Sequence, residues 1–425
     1  MVRIGKRKRT PAPDAPGVVV VGAGFAGLAT LRTLARSGLR VTLVDRNIYS
    51  TFQPLLYQVA TAGLNPGDIA YPVRSFTRKH AVRFRRGELT RIDTAARTVT
   101  LADGGQLGYD YLVVATGVSA AYFGIEGADK YSRALYTRRD AITLRDHLMA
   151  GLEEMSIAGG PAEEVITVVG GGATGVEVAG TLAELRNIAL ASAFPEVDRA
   201  RVHIRLVELG PQLIAPFDAP LRDYAYRQLE KRGVDVMLGT AIREVTPDSV
   251  ILSDGQCLRS DLTVWAAGVS APEAAADWGL PQGRNGRIVV GPDLRVKGHD
   301  RIFAAGDIAV AEDDPAPQLA QPALQEGRHA ARQIARLAAG QPTTPFRYHD
   351  KGTMATIGRR SAVVQLPHGI RFGGTLAWLS WLALHIVELL GNRNRFSTLF
   401  NLSWRYLTWA HGGGLIVGDD PPEEG

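Results

Sequence analysis

Cysteine is almost absent from this sequence, since Cys257 is the only one among 425 residues. With a single thiol, the chain can form neither an intrachain disulfide nor a redox-active pair of cysteines. This excludes every enzyme class that works through a dithiol, and it suits a reducing compartment. We expect Cys257 itself to lie on a solvent-facing hairpin with no part in the chemistry.

The sequence also lacks an apolar run long enough to cross a bilayer. Residues 376–390 (LAWLSWLALHIVELL) form a run of 15, whereas a spanning helix needs about 20 residues. The segment FSTLFNLSWRYLTWA follows, and four of the six tryptophans lie between residues 378 and 409. Because aromatic rings favour the headgroup level, we interpret both segments as helices that lie in the membrane interface. A dimerisation or core-capping surface would expose similar residues.

An excess of positive charge occurs only at the amino terminus. Five of the 48 lysines and arginines lie in the first nine residues, which leaves 43 basic and 43 acidic residues elsewhere. The folded part is therefore balanced, and we expect no nucleic-acid partner. We predict that residues 1–16 are a disordered basic tail, with contact to anionic lipid as the alternative. The tail has no apolar stretch and so is not a signal peptide.

The first chemical motif follows a β-branched run, VVVV, and reads GAGFAG before a helical pattern and the strand RVTLVD. A strand, a glycine-rich turn, a helix and a second strand that ends in an acid form the dinucleotide-binding unit. Its three glycines permit a tight turn, close approach of a pyrophosphate, and packing of helix on strand. The residues expected to bind the dinucleotide here are Gly22, Gly24, Phe25, Ala26, Gly27 and Asp45.

The whole unit recurs later in the chain, where VITVVGGGATGVEVAG (165–180) precedes a strand that ends in Glu208. Residues 83–117 and 235–268 also resemble each other, since each has a strand, a hairpin and a run that closes on ATG or AAG. Two units predict two bound dinucleotides. The further residues expected to bind them are Thr116, Gly117, Gly170, Gly172, Thr174, Gly175, Glu208 and Gly268.

The stretch RIFAAGDIA (301–309) has no helix and strand after it, so we interpret it as the closing strand of the first domain. The predicted fold is α/β, with two Rossmann-like domains of which the second is inserted into the first, followed by amphipathic helices. The predicted boundaries are 17–125 and 290–370 for the first domain, 126–289 for the second, and 371–425 for the membrane-interface helices.

Five stretches resemble the type II NADH dehydrogenases, which belong to the flavoproteins with two dinucleotide-binding domains. They are residues 41–64, 168–185, 303–309, 320–327 and 348–359. The resemblance implies FAD in the first domain, NADH in the second, and ubiquinone or menaquinone as the electron acceptor, without proton pumping. It further implies a peripheral protein on the cytoplasmic face of the membrane. A homodimer is a further expectation. No metal site is expected.

Several residues acquire a role through this resemblance. Asp307, after Gly306, matches the aspartate that contacts the ribityl or pyrophosphate part of FAD. The pattern AQPALQEG puts Gln321 and Gln325 at the quinone site, where a neutral amide suits both the quinone and the hydroquinone. We predict that this helix starts at Pro322, runs to Gly340 and points its positive end at the flavin.

Other assignments from the resemblance remain open between function and structure. Glu177 would contact nicotinamide or quinone and relay protons, or it would only complement the helix dipole. Lys351 would lie near the flavin or belong to a turn. The remaining residues expected at the flavin site are Arg46, Phe52, Gln53 and Pro54.

Three other functions compete with quinone reduction. Sulfide:quinone reductases need a pair of reactive cysteines, which this chain does not have. A reductase of a ferredoxin-like protein needs no cysteine but has no use for the tryptophan-rich tail. A flavoprotein sensor that binds NADH without turnover would be distinguished by flavin that a quinone cannot reoxidise.

Overall fold

The computed structural model describes residues 11–157, 160, 162–311 and 315–408, with the side chains of residues 405–408 excluded. Most of the predicted basic tail therefore lies outside the described residues, as does Trp409 in the predicted interfacial segment.

The described residues contain 25 strands, most of them short. The first thirteen are β1 (Gly17–Val21), β2 (Arg40–Asp45), β3 (Tyr49–Thr51), β4 (Ala70–Pro72), β5 (Arg83–Arg86), β6 (Leu89–Asp93), β7 (Thr98–Leu101), β8 (Gln106–Gly108), β9 (Tyr111–Val114), β10 (Ser119–Ala120), β11 (Ser132–Ala134), β12 (Glu164–Val169) and β13 (Val202–Val207). The others are β14 (Val234–Met237), β15 (Ile242–Val245), β16 (Ser249–Leu252), β17 (Cys257–Arg259), β18 (Leu262–Trp265), β19 (Val269–Ser270), β20 (Ile288–Val290), β21 (Ile302–Ala304), β22 (Ala309–Ala311), β23 (Thr353–Gly358), β24 (Ser361–Gln365) and β25 (Arg371–Gly373).

Eleven α-helices accompany the strands in the described part of the chain. They are α1 (Phe25–Leu34), α2 (Leu56–Ala60), α3 (Val73–His80), α4 (Ala128–Tyr131), α5 (Arg138–Ser156), α6 (Ala173–Glu184), α7 (Leu190–Ala193), α8 (Ala219–Lys231), α9 (Ala320–Ala338), α10 (Thr375–Glu388) and α11 (Asn392–Thr408). A single π-helical turn, residues 185–189, joins α6 to α7.

The chain forms two compact units. Among the described residues, the first unit comprises those within 11–50, 71–119 and 269–350, and the second comprises those within 51–70, 120–268 and 351–408. Residues 351–370 thus group with the C-terminal helices, whereas the sequence assigned them to the second part of the FAD domain. The predicted boundaries of the two dinucleotide-binding domains stay a prediction.

The first unit is built on a parallel sheet with the strand order β21-β9-β1-β2-β5. The run VVVV becomes the buried central strand β1, because apolar residues on both faces suit a sheet covered by helices. Strand β21 pairs with β9, as predicted for the closing strand. The three-stranded antiparallel sheet β6-β7-β8 forms the predicted hairpin region.

The second unit repeats this plan with the parallel order β11-β18-β12-β13-β14. Its antiparallel sheet, β15-β16-β17, corresponds to β6-β7-β8 of the first unit. The predicted duplication is therefore confirmed in strand order and in direction. Cys257 is exposed on β17, as expected.

The C-terminal part of the second unit is a small antiparallel sheet, β23-β24-β25, against which α10 packs. Ala362 and Val364 of β24 meet Ala377 and Trp378 of α10 in one buried cluster. The predicted helical segments are confirmed as α10 and α11. Among the described residues, none of the helices combines the length and the apolar character that crossing a membrane requires.

Candidate active site

The first glycine motif has the geometry of a pyrophosphate cradle. Gly22 adopts φ +107°, which other residues rarely reach, and a Cβ on Gly27 would lie 1.8 Å from the Gly22 carbonyl oxygen. A Cβ on Gly24 would have no protein atom within 4 Å. Gly22 and Gly27 are therefore fixed by the fold, whereas the space beside Gly24 serves no packing purpose and is open to a phosphate.

The second glycine motif shows the same division of roles. Gly170 adopts φ +106°, and a Cβ on Gly175 would lie 1.8 Å from the Gly170 carbonyl oxygen. A Cβ on Gly172 would again have no neighbour within 4 Å. Thr174 is exposed in the first turn of α6, beside this open space. The start of α6 can therefore accept the phosphates of a second dinucleotide.

The acid at the end of the second strand of each motif bonds to the glycine-rich loop of its own motif. Asp45 accepts from the Ala23 amide at 2.6 Å and from the Asn47 amide at 2.7 Å. Glu208 accepts from the Gly171 amide and, at 2.6 Å, from the Gly210 amide. Burial raises the pKa of Asp45. Each ionised carboxylate offers about four acceptor positions, so two hydrogen bonds leave room for a ribose hydroxyl.

The first unit contains further features that fit FAD. Thr116 lies two residues after β9, and its Oγ1 is buried and has no hydrogen-bond partner among the described residues. Gly306 adopts φ +79°, and a Cβ there would lie 2.9 Å from the Ala26 Cβ and 3.5 Å from the Ala323 Cβ. The turn that carries Asp307 therefore lies between the starts of α1 and α9. Two helix N-termini converge where the diphosphate and the flavin would bind.

Helix α9 approaches α1 closely at Gly327. A Cβ on Gly327 would lie 2.1 Å from the Ala26 carbonyl oxygen, and the Thr30 hydroxyl donates to both the Gly327 and Ala26 carbonyls at 2.9 Å. This close packing fixes the direction of α9 and hence the position of its first turn.

The predicted start of α9 was two residues late, because the helix begins at Ala320 rather than at Pro322. Proline fits the third helical position as well, since the first four amides of a helix have no intrahelical partner. Gly340 ends the helix in the left-handed conformation, as predicted.

The two predicted quinone-site glutamines differ in their surroundings. Gln321 is half-buried in the first turn of α9. The Gln325 amide donates to the His349 carbonyl and accepts from the His349 amide, both at 3.0 Å. Gln325 therefore holds residues 348–350 against α9, which is a positioning role that the sequence did not reveal.

Two charged residues next to Asp307 were not among those predicted from the sequence. Glu326 is buried on α9 and accepts from the Gly306 amide at 2.6 Å, and burial raises its pKa to about 7. Arg287 donates through Nε to the Asp307 carbonyl at 2.7 Å and through Nη2 to the Ala309 carbonyl. The Glu of AQPALQEG was visible in the sequence, but no local pattern showed that it turns inward.

Glu177 lies in the second turn of α6, within the second unit. A Cβ on Gly180, one turn later, would lie 2.3 Å from the Ile357 carbonyl oxygen, so α6 lies directly against β23. The Thr356 amide of β23 donates to Glu177 Oε1 at 3.3 Å. Although Glu177 as a residue keeps some solvent exposure, its carboxyl group is enclosed. This burial raises the pKa of Glu177 to about 8, so the carboxyl is protonated at neutral pH.

The other predicted residues are placed as follows. Arg46 is exposed and forms an ion pair with Glu88 at 3.3 Å. Phe52 is buried and Gln53 begins a short 3-10 turn with Pro54, while Lys351 is exposed just before β23. Three predicted residues remain. Phe25 is the first residue of α1, Gly117 adopts φ +72°, and a Cβ on Gly268 would lie 2.6 Å from Phe123 Cζ.

Comparison with known proteins identifies the family. Residues 16–327 match the pyridine nucleotide-disulphide oxidoreductase family, and residues 350–408 match the NDH2 C-terminal domain. The type II NADH:quinone oxidoreductase Ndh of Mycobacterium tuberculosis is 37% identical over 406 residues, which cover 91% of this chain and 87% of that protein. This chain belongs to the type II NADH:quinone oxidoreductase family.

Two further proteins extend the comparison. A type II NADH:quinone oxidoreductase of Staphylococcus aureus is 33% identical over 379 residues, which cover 86% of this chain and 92% of that protein. The structure of NDH2 from Plasmodium falciparum in complex with NADH superposes with a TM-score of 0.86 at 20% identity, covering 93% of this chain and 99% of that one. The predicted fold and the predicted type II NADH:quinone oxidoreductase family are both confirmed.

Proposed function

We propose that this protein oxidises NADH and reduces a membrane quinone, ubiquinone or menaquinone, in respiratory electron transport without pumping protons. Bound FAD would supply the redox chemistry, since it accepts a hydride from NADH and passes two electrons to the quinone. The observation that carries the proposal is the pair of open glycine cradles, beside Gly24 and Gly172, in a chain of this family. The residues proposed to hold FAD are those of the first motif with Asp45, Thr116, Gly117, Gly306 and Asp307.

The second motif supports NADH rather than NADPH as the donor. Two backbone amides fix the Glu208 carboxylate, which would repel a 2′-phosphate. Arg205, the nearby cation that could favour NADPH, forms an ion pair with Asp235 at 3.0 Å instead. The local charge beside the ribose is therefore negative.

The start of α9 is the part of the first unit best suited to a quinone carbonyl. Its free amides carry about half a positive charge, which also favours reduced flavin. Gln321 can donate to and accept from the two redox forms of the quinone. Gln325 contributes through its bidentate contact with His349, which positions the segment before β23.

Proton supply is the proposed task of Glu177. Each turnover converts NADH, one proton and quinone to NAD⁺ and hydroquinone, so one proton is taken from solution. The raised pKa of Glu177 keeps its carboxyl protonated at neutral pH, which suits a residue that relays protons.

Access to quinone is proposed to come from α10 and α11. Leu376, Leu379 and Val387 project from one face of α10 with exposed fractions of 64%, 50% and 61%. Phe400 and Trp404 project from α11. Exposed apolar residues of this kind on two successive helices suit a membrane interface.

The cytoplasmic face of the membrane is the proposed location, because a chain with one cysteine suits a reducing compartment. A homodimer through the same apolar face stays a prediction.

Rapid mixing of the purified protein with NADH, and of the reduced protein with a quinone analogue, measures flavin reduction and flavin reoxidation separately. We expect Gln321→Ala to leave flavin bleaching by NADH unchanged and to slow reoxidation by a quinone analogue at least tenfold. Arg332→Ala, at an exposed position of the same helix remote from its start, is the control. If Gln321→Ala slowed both half-reactions equally, the assignment of the quinone site to the start of α9 would be wrong.

A further inference from the structure

Phe123 is a large apolar residue that the second unit leaves 60% exposed, in a backbone conformation that suits other residue types. Its φ is +55°, and Gly124 follows with φ +71°. The Ile125 amide donates to the Tyr122 carbonyl at 3.0 Å across this turn. A turn whose two central residues both have positive φ favours asparagine, aspartate or glycine at the first of them. Neither burial nor backbone geometry therefore explains a phenylalanine at this position.

The segment before this turn is fixed to the carboxyl end of β18. The Ala121 amide donates to the Gly268 carbonyl at 3.0 Å, and the indole N–H of buried Trp265 donates to the Ala121 carbonyl at 2.8 Å. The Tyr122 and Trp265 rings pack with their centroids 5.6 Å apart. Because a Cβ on Gly268 would lie only 2.6 Å from Phe123 Cζ, the Phe123 ring lies directly against Gly268. The exposed ring is thus held beside the end of this strand.

The same end of β18 borders the second glycine motif. A Cβ on Gly170 would lie 2.6 Å from the Ala266 carbonyl oxygen and 2.7 Å from Ala267 Cα. The residues that follow β18 therefore lie against the first glycine of the motif, and Gly268 is the next residue along. Phe123 belongs to the surroundings of this motif, although it lies far from it in the sequence.

The strand order indicates which half of a dinucleotide would reach Phe123. The chain runs from β12 to β13 and β14 on one side, and β18 pairs with β12 on the other. Ligands of such sheets lie across the carboxyl ends of the strands, at the point where the strand order reverses. Glu208, directly after β13, is the proposed partner of the adenosine ribose, and the glycine motif after β12 is the proposed site of the pyrophosphate. The nicotinamide half then extends across the end of β18, beside Phe123.

We propose that Phe123 is a substrate-binding residue whose ring contacts the nicotinamide half of NADH. This inference rests on the proposed function, which assigns NADH to the second unit. An aromatic ring offers the nicotinamide and its ribose a large apolar contact of fixed shape. Because Gly268 and the anchored segment hold the ring in advance, NADH binding orders little further structure. Contact with substrate also accounts for an exposed aromatic residue in a strained turn.

The experiment measures binding of NAD⁺ and of ADP to the oxidised holoenzyme by titration calorimetry. ADP has the adenosine half and the two phosphates but no nicotinamide half. Phe123→Ala should raise the Kd for NAD⁺ about fivefold or more and leave the Kd for ADP unchanged. Phe123→Tyr keeps the ring and should keep the wild-type affinity. Ile188→Ala is the matched control, because Ile188 is an exposed apolar residue beyond the far end of α6.

A second variant separates binding from folding. Asparagine tolerates positive φ, so Phe123→Asn should not lower the Tm measured without added nucleotide, yet it should weaken NAD⁺ binding as much as Phe123→Ala does. A Phe123 that served only the fold would instead give a lower Tm and an equal loss of NAD⁺ and ADP affinity, and this result would overturn the inference.

An unchanged Kd for NAD⁺ in Phe123→Ala would also overturn it. A wild type that binds NAD⁺ but passes no electrons from NADH to a quinone would refute the proposed function and leave the assignment of Phe123 in place.

Discussion

Replacing Glu177 with glutamine should remove a pH-dependent loss in the free energy of unfolding. The carboxyl group ionises at about pH 8 in the folded protein, whereas its ordinary pKa is 4.5. Between these values the unfolded chain has already released the proton and the folded protein still holds it. Stability therefore falls as pH rises through this window and levels off above pH 8. Glutamine has the same shape and no proton to lose.

The size of the effect follows from the two pKa values. Over the whole window the cost of burying the ionisable group reaches about 5 kcal/mol, at about 1.4 kcal/mol per pH unit. Between pH 6 and pH 9 the contribution of Glu177 is about 2 to 3 kcal/mol, because ionisation in the folded state begins near pH 8. For the second compact unit, to which Glu177 belongs, this difference in the free energy of unfolding corresponds to about 5 °C in Tm.

The assay is thermal unfolding of the wild type and Glu177→Gln at a series of pH values. Glu164 and Glu326 also have pKa values raised to about 7, so the informative quantity is the difference between the two proteins at each pH. We expect this difference to grow from pH 6 to pH 9 in favour of the variant. Glu153→Gln, an exposed glutamate on α5, should show no such growth. A constant difference between wild type and Glu177→Gln across the series would refute the reasoning.

Three further predictions concern the first glycine motif, the choice between NADH and NADPH, and the exposed aromatic residues of α11. Gly24→Ala should keep the wild-type Tm of the apoprotein but lose bound FAD. Gly27→Ala should lower Tm as well, because its Cβ would lie 1.8 Å from a backbone oxygen. Flavin absorbance measures FAD binding and thermal unfolding measures Tm, and equal losses of Tm in the two variants would contradict the distinction. Glu208→Gln should raise kcat/KM for NADPH about tenfold, equivalent to about 1.4 kcal/mol, and an unchanged NADPH:NADH ratio would show that the carboxylate does not discriminate. Phe400→Ser combined with Trp404→Ser should weaken binding to phospholipid vesicles at least tenfold, since each ring contributes about 1.5 kcal/mol or more, while Ile157→Ser at another exposed apolar site should not. Retained vesicle binding in the double variant would count against α11 as a membrane surface.

Much of the fold could be predicted because its signals are local. The spacing of Gly22, Gly24 and Gly27 determines a strand, a turn and a helix within one short stretch, and its recurrence at Gly170 determines the second unit. That RIFAAGDIA closes the first domain followed from its position after the inserted segment, and the structure shows that it pairs with β9. Such features need no knowledge of which distant side chains meet.

The parts of the site that escaped prediction depend on contacts between distant segments. The run LAWLSWLALHIVELL is apolar on nearly all sides, so its composition indicated an interfacial helix but did not show that Ala377 and Trp378 pack against β24. Gln325 was expected to bind quinone, and only the fold shows its amide paired with the backbone of His349. The inward turn of Glu326 toward the Gly306 amide likewise required the packing of α9 on α1.

The central claim is that this chain carries electrons from NADH to a quinone through bound FAD, and an anaerobic titration tests it most directly. The purified protein should be yellow, lose its oxidised flavin absorbance with one equivalent of NADH, and regain it with one equivalent of a soluble quinone. A colourless protein that takes up no FAD, or a flavin that NADH bleaches and quinone does not restore, would contradict the account.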